Sequence, residues 1–301
     1  MSRSRLTAGL VAGTAAALVL SACGGSDPLS SGGGDGDTIV VGSQDYYSNE
    51  IVAEIYAQAL EAEGHDVDRQ LRIGQREAYV PELESGDIDL FPEYTGPLLQ
   101  YWEPKTKARL TDEVYTALED ATPDGLRVLD QADATDQDSY VVTRQFAEKW
   151  DLRTIADLAK VTEPLTLGAN SEAENRPNGP KGLQDAYGVK ADFAPIEDGG
   201  GPLTVKALKD DDVQLAIIYT ADPSIKKNDL VSLEDPEGLF LASHVVPVAS
   251  DDVDDDAAAV IDEVSAAMTT DALVDLNQRS VDEKLPAEKI AADWLAAQGL
   301  D

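Results

Sequence analysis

The only cysteine of this chain, Cys23, lies where a thiol could be acylated. It ends the string Leu20-Ser21-Ala22-Cys23, which follows a basic start at Arg3 and Arg5 and an apolar run over residues 10–20. A basic start, an apolar run and small residues before a cleavage point are typical of a secretory signal. Cleavage before Cys23 and acylation of its thiol would leave a lipid anchor. The alternatives are an ordinary secretory signal with an incidental cysteine and a transmembrane anchor, for which the run is short.

Two tyrosines occupy matching positions in two similar segments of the sequence. Tyr94 follows Leu83 by eleven positions, Tyr219 follows Leu208 by the same distance, and a threonine comes after each tyrosine. Both segments read as the end of a helix, a tight turn and a buried strand. Ligands of open α/β sheets bind at the carboxyl ends of the strands. The similarity of the two segments therefore predicts two similar halves, each with a tyrosine at the carboxyl end of a strand, where ligands bind.

Residue types that carry enzymatic chemistry are sparse. The chain has two histidines, His65 and His244, and it lacks His-x-x-His, Gly-x-Ser-x-Gly and phosphate-loop patterns. The acidic run at residues 251–256 lacks the glycine and the terminal glutamate of a calcium loop, which favours a solvated turn. We therefore expect no enzyme, no cofactor and no metal site. A structural or adhesive lipoprotein is the remaining class, and no repeats support it.

Composition limits the partners and the domain plan. A formal net charge of −35 repels phosphate backbones, so nucleic acid is excluded as a partner. Residues 24–37 are almost entirely Gly, Ser, Asp and Pro, which predicts a flexible linker. No cysteine follows Cys23, so no disulfide can form within the mature chain. We expect a globular domain from residue 38 onwards, attached to the membrane only through the lipid anchor.

Strands and helices alternate along this domain, as in α/β domains with largely parallel sheets. A strand at residues 139–143 is predicted to cross into a second lobe, and the segment after residues 245–248 to return to the first. Thr154 and Asp157 form a capping pattern at a helix start. The other predicted elements are strands at 38–42, 67–73, 88–91 and 165–169, helices at 50–62, from 78, and at 257–268, 270–279 and 286–298, and a polar loop at 170–181.

Three strings carry a resemblance to a known family. They are Val41-Gly42-Ser43-Gln44-Asp45-Tyr46, Ser85-Gly86-Asp87-Ile88-Asp89-Leu90-Phe91-Pro92-Glu93-Tyr94-Thr95-Gly96 and Asp229-Leu230-Val231-Ser232-Leu233-Glu234-Asp235-Pro236. The chain resembles the glycine betaine/carnitine/choline (osmoprotectant) substrate-binding proteins of ABC importers from about residue 38 to 300. The resemblance implies an α/β fold, a two-lobed periplasmic-binding-protein clamshell of type 2-like topology with two interlobe crossovers, which closes on its ligand.

The resemblance also implies a set of ligand-binding residues. A quaternary ammonium has no N–H to donate, so the faces of aromatic rings hold it. Tyr94, Tyr140 and Tyr219 match the positions of such rings. Arg176 matches the family arginine that pairs with a betaine carboxylate, for which a guanidinium fork is suited. Gln44 stands where many relatives have lysine, and we expect it to make a polar contact.

The chain departs from the family pattern at three places. Ser243-His244 replaces an expected tyrosine-asparagine pair, Gln75-Arg76 replaces glycine-threonine, and Tyr46-Tyr47 adds rings beside Gln44. We therefore add Tyr46, Arg76 and His244 to the expected ligand contacts. An arginine near a cation cage must point away or meet an anionic group on the ligand. A polyol, an aromatic compound or an amino-acid derivative is the alternative ligand class.

Together these inferences predict a bacterial lipoprotein on the extracytoplasmic face of the cell membrane. Its partners would be a small-molecule ligand, with a quaternary amine as the main candidate, and the ABC permease of the same importer, and the protein itself would be a monomer. The expected divisions are a signal peptide at 1–22, the lipidated cysteine and linker at 23–37, lobe I at 38–138, lobe II at 139–243, and a return to lobe I at 244–301.

Overall fold

The computed structural model describes residues 38–301. The predicted signal peptide, Cys23 and the linker lie outside the described residues. Within residues 38–301, no helix is both long enough and apolar enough to cross a membrane.

Short strands form two mixed sheets of five strands each. In chain order they are β1 (Ile39–Gly42), β2 (Val67–Gln70), β3 (Leu90–Tyr94), β4 (Leu126–Val128), β5 (Asp138–Thr143), β6 (Thr166–Ala169), β7 (Asp192–Pro195), β8 (Leu215–Tyr219), β9 (Leu230–Ser232) and β10 (Val245–Ser250). The first sheet has the order β2-β1-β3-β10-β4 and the second β7-β6-β8-β5-β9. We call the sheets with their helices lobe I and lobe II. The chain crosses between them twice, from β4 to β5 and from β9 to β10.

Helices cover both faces of each sheet. They are α1 (Tyr47–Ala62), α2 (Arg76–Ser85), α3 (Thr95–Trp102), α4 (Thr111–Ala121), α5 (Arg144–Trp150), α6 (Pro180–Tyr187), α7 (Pro202–Lys209), α8 (Ser224–Lys227), α9 (Asp255–Ala267), α10 (Thr270–Glu283) and α11 (Ala287–Gln298), with 3-10 helices at Ile155–Lys160 and Ser171–Glu174. The capping box predicted at Thr154 and Asp157 is present, although it opens a 3-10 helix.

The two sheets have the same plan. In lobe I, β10 runs antiparallel to β3 and β4, while β1, β2 and β3 are parallel. In lobe II, β5 is the antiparallel strand, between β8 and β9. β3 and β8 are therefore the central strands, and Tyr94 and Tyr219 are their last residues. The prediction that helix, turn and strand follow one another in both segments is confirmed by α2 with β3 and by α7 with β8.

Each sheet lies between two hydrophobic layers. The C-terminal helices α9, α10 and α11 pack with α1 on one face of lobe I, and α2, α3 and α4 pack on the other. Alternation along β10 serves both layers, since Val245 and Ala249 face the first while Val246 and Val248 face the second. Lobe II is built likewise, with α5 and α6 on one face and α7 on the other.

Several predicted bounds were wrong. The strand predicted over 67–73 ends at Gln70, because Arg72 and Gly74 adopt positive φ values of 58° and 145° that turn the chain. The polar loop predicted over 170–181 contains a 3-10 helix and the first turn of α6. Helix α2 begins at Arg76, two residues before the predicted start, and contains Pro81 in its interior.

Candidate functional site

Tyrosine rings from both lobes meet where the two sheets face each other. Tyr46, which precedes α1 in lobe I, packs its ring 4.5 Å, centroid to centroid, from the ring of Tyr219 in lobe II, at an interplanar angle of 37°. Tyr47 packs edge-on against Tyr46, with centroids 5.0 Å apart. Tyr46 is 3% exposed and Tyr94 is 4% exposed. Tyr46 and Tyr47, at the start of α1, and the strand-end Tyr219 therefore converge on one interlobe region.

Carboxylates orient two of these rings. The Tyr46 hydroxyl donates to Asp136 Oδ2 at 3.1 Å, and the Tyr47 hydroxyl donates to Asp222 Oδ2 at 2.9 Å. Asp136 lies on the first crossover, is 2% exposed, and also accepts the backbone N–H of Ala221 at 2.9 Å. Burial raises the pKa of Asp136 to about 7. The tyrosine cluster therefore has a buried acidic group directly behind it.

A bidentate ion pair bridges the lobes beside the tyrosines. Arg176, in the loop before α6, donates through Nε to Glu77 Oε1 at 3.0 Å and through Nη2 to Glu77 Oε2 at 2.8 Å. Glu77 is in the first turn of α2, so the bond joins lobe II to lobe I. Burial acts first on Glu77 and favours its neutral form, but the bonds to Arg176 outweigh it and lower the pKa of Glu77.

Arg76 is neutralised inside lobe I. Its Nε and Nη2 donate to Glu93 Oε1 and Oε2 at 2.7 and 2.9 Å, and the side chains of Arg76 and Glu93 are 8% and 0% exposed. Glu93 also accepts the Tyr79 hydroxyl and the backbone N–H of Tyr94. The structure thus pairs Arg76 with a carboxylate of the protein, and a contact of Arg76 with ligand stays a prediction.

A small inner cavity lies between the lobes at this place. The space open to the centre of a water molecule is about 20 Å³, enough for about one water. Gly199 and Gly200 have positive φ values of 61° and 82°, and their backbone forms part of the wall. The other lining residues are Gln75, Asp138, Ala169, Asn170, Ala173, Arg176, Asn178, Ile217 and Tyr219.

A larger outer groove leads away from the inner cavity. It offers about 1190 Å³ by the same measure and shares Asp138, Arg176 and Asn178 with the cavity. Arg76 and Glu77 also line it. The shared residues make the cavity and the groove two parts of one interlobe cleft.

Five of the eight predicted site residues lie outside the lining of the inner cavity and of the outer groove: Gln44, Tyr46, Tyr94, Tyr140 and His244. Tyr140 is fully buried in the lobe II core, with its ring 4.9 Å from that of Phe240 and its hydroxyl donating to the Asn178 carbonyl at 2.8 Å. It therefore supports the loop that carries Asn178. Gln44 is 4% exposed and lines neither the inner cavity nor the outer groove. Its backbone N–H donates to Asn49 Oδ1.

His244 lies on the second crossover in a fully bonded position. Its Nδ1 is 2.8 Å from the Ala132 carbonyl and its Nε2 is 3.3 Å from Thr111 Oγ1. Thr95 Oγ1 accepts its backbone N–H. His244 joins the crossover to lobe I, and its predicted contact with ligand stays a prediction.

Sequence reasoning missed four carboxylates of the site: Glu77, Asp136, Asp138 and Asp222. Asp138 is paired in register with Tyr219 across β5 and β8, so its position follows once the antiparallel pairing of these strands is known. The pairing of distant strands is not visible in local periodicity. No group of three His, Cys, Asp or Glu within residues 38–301 is arranged to hold a metal ion.

Similar proteins agree with this architecture. "Glycine betaine-binding protein YehZ" of Escherichia coli (strain K12) is 26% identical over 276 residues, 87% of this chain and 90% of that protein. "Ergothioneine transport permease/ergothioneine binding protein EgtU" of Helicobacter pylori (strain G27) is 24% identical over 269 residues, 87% of this chain, which spans 48% of that longer protein. A crystal structure titled as a glycine betaine/carnitine/choline ABC transporter shares the fold, with a TM-score of 0.69, 19% identity, and coverage of 87% of this chain and 99% of that one.

The family model for the substrate binding domain of the ABC-type glycine betaine transport system matches residues 37–297. The match spans nearly all of the residues that the structure describes and confirms the resemblance seen in the sequence. Members of this family are solute-binding proteins of ABC transporters and not an enzyme class. The chain belongs to the family of substrate-binding domains of ABC-type glycine betaine transport systems.

Proposed function

We propose that this protein captures a compact quaternary amine between its lobes and delivers it to the permease of an ABC importer. The observation that carries the proposal is the contact between the Tyr46 and Tyr219 rings, which come from opposite lobes. An aromatic face attracts a permanent cation with about 0.5–2 kcal/mol. A ligand that inserts between rings of two lobes stabilises the closed state, because it gains both contacts only when the lobes meet.

The charges around the tyrosines support a cationic head group. The carboxylates of Asp136 and Asp138 lie beside the rings and contribute a negative potential. Arg176 uses Nε and Nη2 on Glu77, while its Nη1 donates to no group within residues 38–301. A ligand carboxylate could accept from this remaining Nη1. The proposed ligand is therefore a cation with or without a carboxylate at its other end.

Ligand entry requires the lobes to separate. Contacts that cross the cleft include Arg176 with Glu77, Tyr47 with Asp222, and Tyr46 with Tyr219. They leave an inner cavity with accessible space for about one water. Hinge motion at the two crossovers would open the cavity, as in other two-lobed receptors. We propose lobe boundaries at 38–138, 139–243 and 244–301, as predicted from the sequence.

The proposal also places the protein. Cys23 would be the acylated first residue of the mature chain, and residues 24–37 would be the linker to the folded domain. A monomeric receptor held beside its permease on the extracytoplasmic face keeps captured solute near the transporter. Lipid attachment and delivery to the permease are parts of the proposal.

Titration calorimetry with glycine betaine, choline, carnitine and proline betaine tests the proposal. We expect at least one to bind with a dissociation constant below millimolar. Arg176→Ala should weaken glycine betaine more than choline, because choline has no carboxylate to lose. Absence of binding for all four compounds at millimolar concentration would contradict the quaternary-amine proposal.

A second candidate ligand is an amino-acid derivative with a larger polar part. The inner cavity brings Gln75, Asp138, Asn170 and Asn178 together beside Tyr219, which is more polar surface than a trimethylammonium group can use. The name of the Helicobacter pylori relative gives ergothioneine as its ligand. Adding ergothioneine to the calorimetric panel separates this candidate from the smaller compounds.

A further inference from the structure

Asp138 holds an unused acceptor at the centre of the interlobe cleft. It is the first residue of β5, opposite Tyr219 in β8, and it lines both the inner cavity and the outer groove. Its Oδ2 accepts from Asn178 Nδ2 at 2.9 Å. No donor within residues 38–301 reaches its Oδ1. One oxygen of this carboxylate therefore remains for a group that enters the cleft.

The neighbouring arginines do not take this oxygen. Arg76 forms two bonds with Glu93, and Arg176 forms two with Glu77 and a longer one, of 3.5 Å, with Gln75 Oε1. Each guanidinium is thus matched by its own carboxylate, and neither forms an ion pair with Asp138. Burial raises the pKa of Asp138, while the nearby charges of Arg176 and Arg76 act in the opposite direction.

A carboxylate oxygen that accepts no hydrogen bond costs free energy once water has left the cleft. In the open cleft, water can donate to Oδ1. When the lobes close around a solute, that water is displaced, and a buried oxygen without a donor loses the full benefit of its hydration. A ligand that brings its own O–H or N–H recovers this loss with a charge-assisted hydrogen bond.

We propose that Asp138 is a specificity residue that selects a quaternary amine bearing an additional O–H or N–H donor. The inference rests on the proposed function and narrows it. Glycine betaine has no hydrogen bound to nitrogen or oxygen at neutral pH and cannot fill Oδ1. A hydroxylated betaine, an amino alcohol such as choline, or a betaine with a heterocyclic N–H can. Ligands of that class should bind more tightly than otherwise matched compounds.

Matched ligand pairs test the proposal on the full mature domain. The pairs are carnitine with γ-butyrobetaine, choline with ethyltrimethylammonium, and the trimethylammonium betaine of histidine with that of phenylalanine. The first two pairs differ only by one hydroxyl. We expect the donor-bearing member of at least one pair to bind about ten- to a hundredfold more tightly, the range for a hydrogen bond to a charged group.

Asp138→Asn should reduce that preference to less than about threefold. Because it also removes a negative charge beside the bound cation, it should weaken both members of a pair by a similar further factor. Asp192→Asn is the matched control, because Asp192 is exposed and lies in the lining of the outer groove but not of the inner cavity; it should keep the full preference. Asp138→Glu, which moves the carboxylate, serves as the second variant if Asp138→Asn does not fold. A preference that survives in the Asp138 variant would overturn the assignment to this residue.

The outcomes separate this inference from the proposed function. Equal affinities within all three pairs for the unmodified protein would overturn the role of Asp138 and leave the quaternary-amine receptor intact. Absence of binding for all six compounds would overturn the proposed function, and this inference with it.

Discussion

Removing the charge of Glu93 should destabilise the protein strongly. The Glu93 side chain is 0% exposed and its carboxylate accepts four hydrogen bonds: from Arg76 Nε at 2.7 Å and Nη2 at 2.9 Å, from the Tyr79 hydroxyl at 2.5 Å and from the Tyr94 backbone at 2.7 Å. In Glu93→Gln the guanidinium of Arg76, 8% exposed, would remain charged without its counterion. Breaking one side of a buried ion pair costs about 3–5 kcal/mol.

Urea unfolding followed by circular dichroism measures this loss. We expect the free energy of unfolding of Glu93→Gln to fall by about 3–5 kcal/mol with an unchanged denaturant dependence. The control is Asp293→Asn, which removes a carboxylate that is 40% exposed and pairs with Lys289 and Arg279. An exposed pair of this kind contributes about 0–1 kcal/mol.

A double replacement checks the physical cause. Arg76→Met combined with Glu93→Leu removes both charges and should recover a large part of the loss, because a buried charge no longer lacks its partner. The reasoning would be refuted if Glu93→Gln cost no more than Asp293→Asn, or if the double replacement were as unstable as the single one.

Three further predictions concern the site and the anchor. Burial raises the pKa of Asp136 to about 7, above its unfolded value, so its contribution to stability is present at low pH and is lost as pH rises through about 4 to 7. Asp136→Asn should therefore be more favourable relative to the unmodified protein at pH 8 than at pH 5 in urea unfolding; a difference that is independent of pH would contradict this. Tyr219→Ala should weaken a quaternary amine about five- to thirtyfold by calorimetry, whereas unchanged affinity would remove Tyr219 from the binding surface. Cys23→Ser should release the protein from the membrane fraction, and a processed form that stays in that fraction would argue against acylation.

Local pattern was enough to predict the strand ends that face the cleft. The buried runs before Tyr94 and Tyr219 and the matching helices before them define β3 and β8, and these are the central strands of their sheets. Short apolar runs bounded by turn residues carry this signal within a few positions. The contact between Tyr46 and Tyr219 could not be predicted from local pattern, because it depends on how the two lobes approach each other.

Long-range pairing limited the rest of the prediction. β5 is buried on both faces, so alternation along it could not tell that Tyr140 points into the lobe II core. Glu77 lies just before the helix predicted from residue 78 and carried no signal of its own in the sequence, yet it is the cross-lobe partner of Arg176. Asp138 became a candidate only through its register with Tyr219. Each of these positions is set by a residue many positions away in the chain.

The return of the chain to lobe I at β10 dictates the order in which the protein can be completed during synthesis. β10 separates β3 from β4 in the sheet, and α1 packs against α9, α10 and α11. The N-terminal lobe therefore lacks a central strand and one hydrophobic layer until the last residues have emerged. Lobe II uses one continuous segment and can fold earlier. Contacts between distant parts of a chain form slowly. Lobe I would therefore remain largely unfolded while the chain passes, N-terminus first, through a narrow membrane channel, and it would not obstruct that passage.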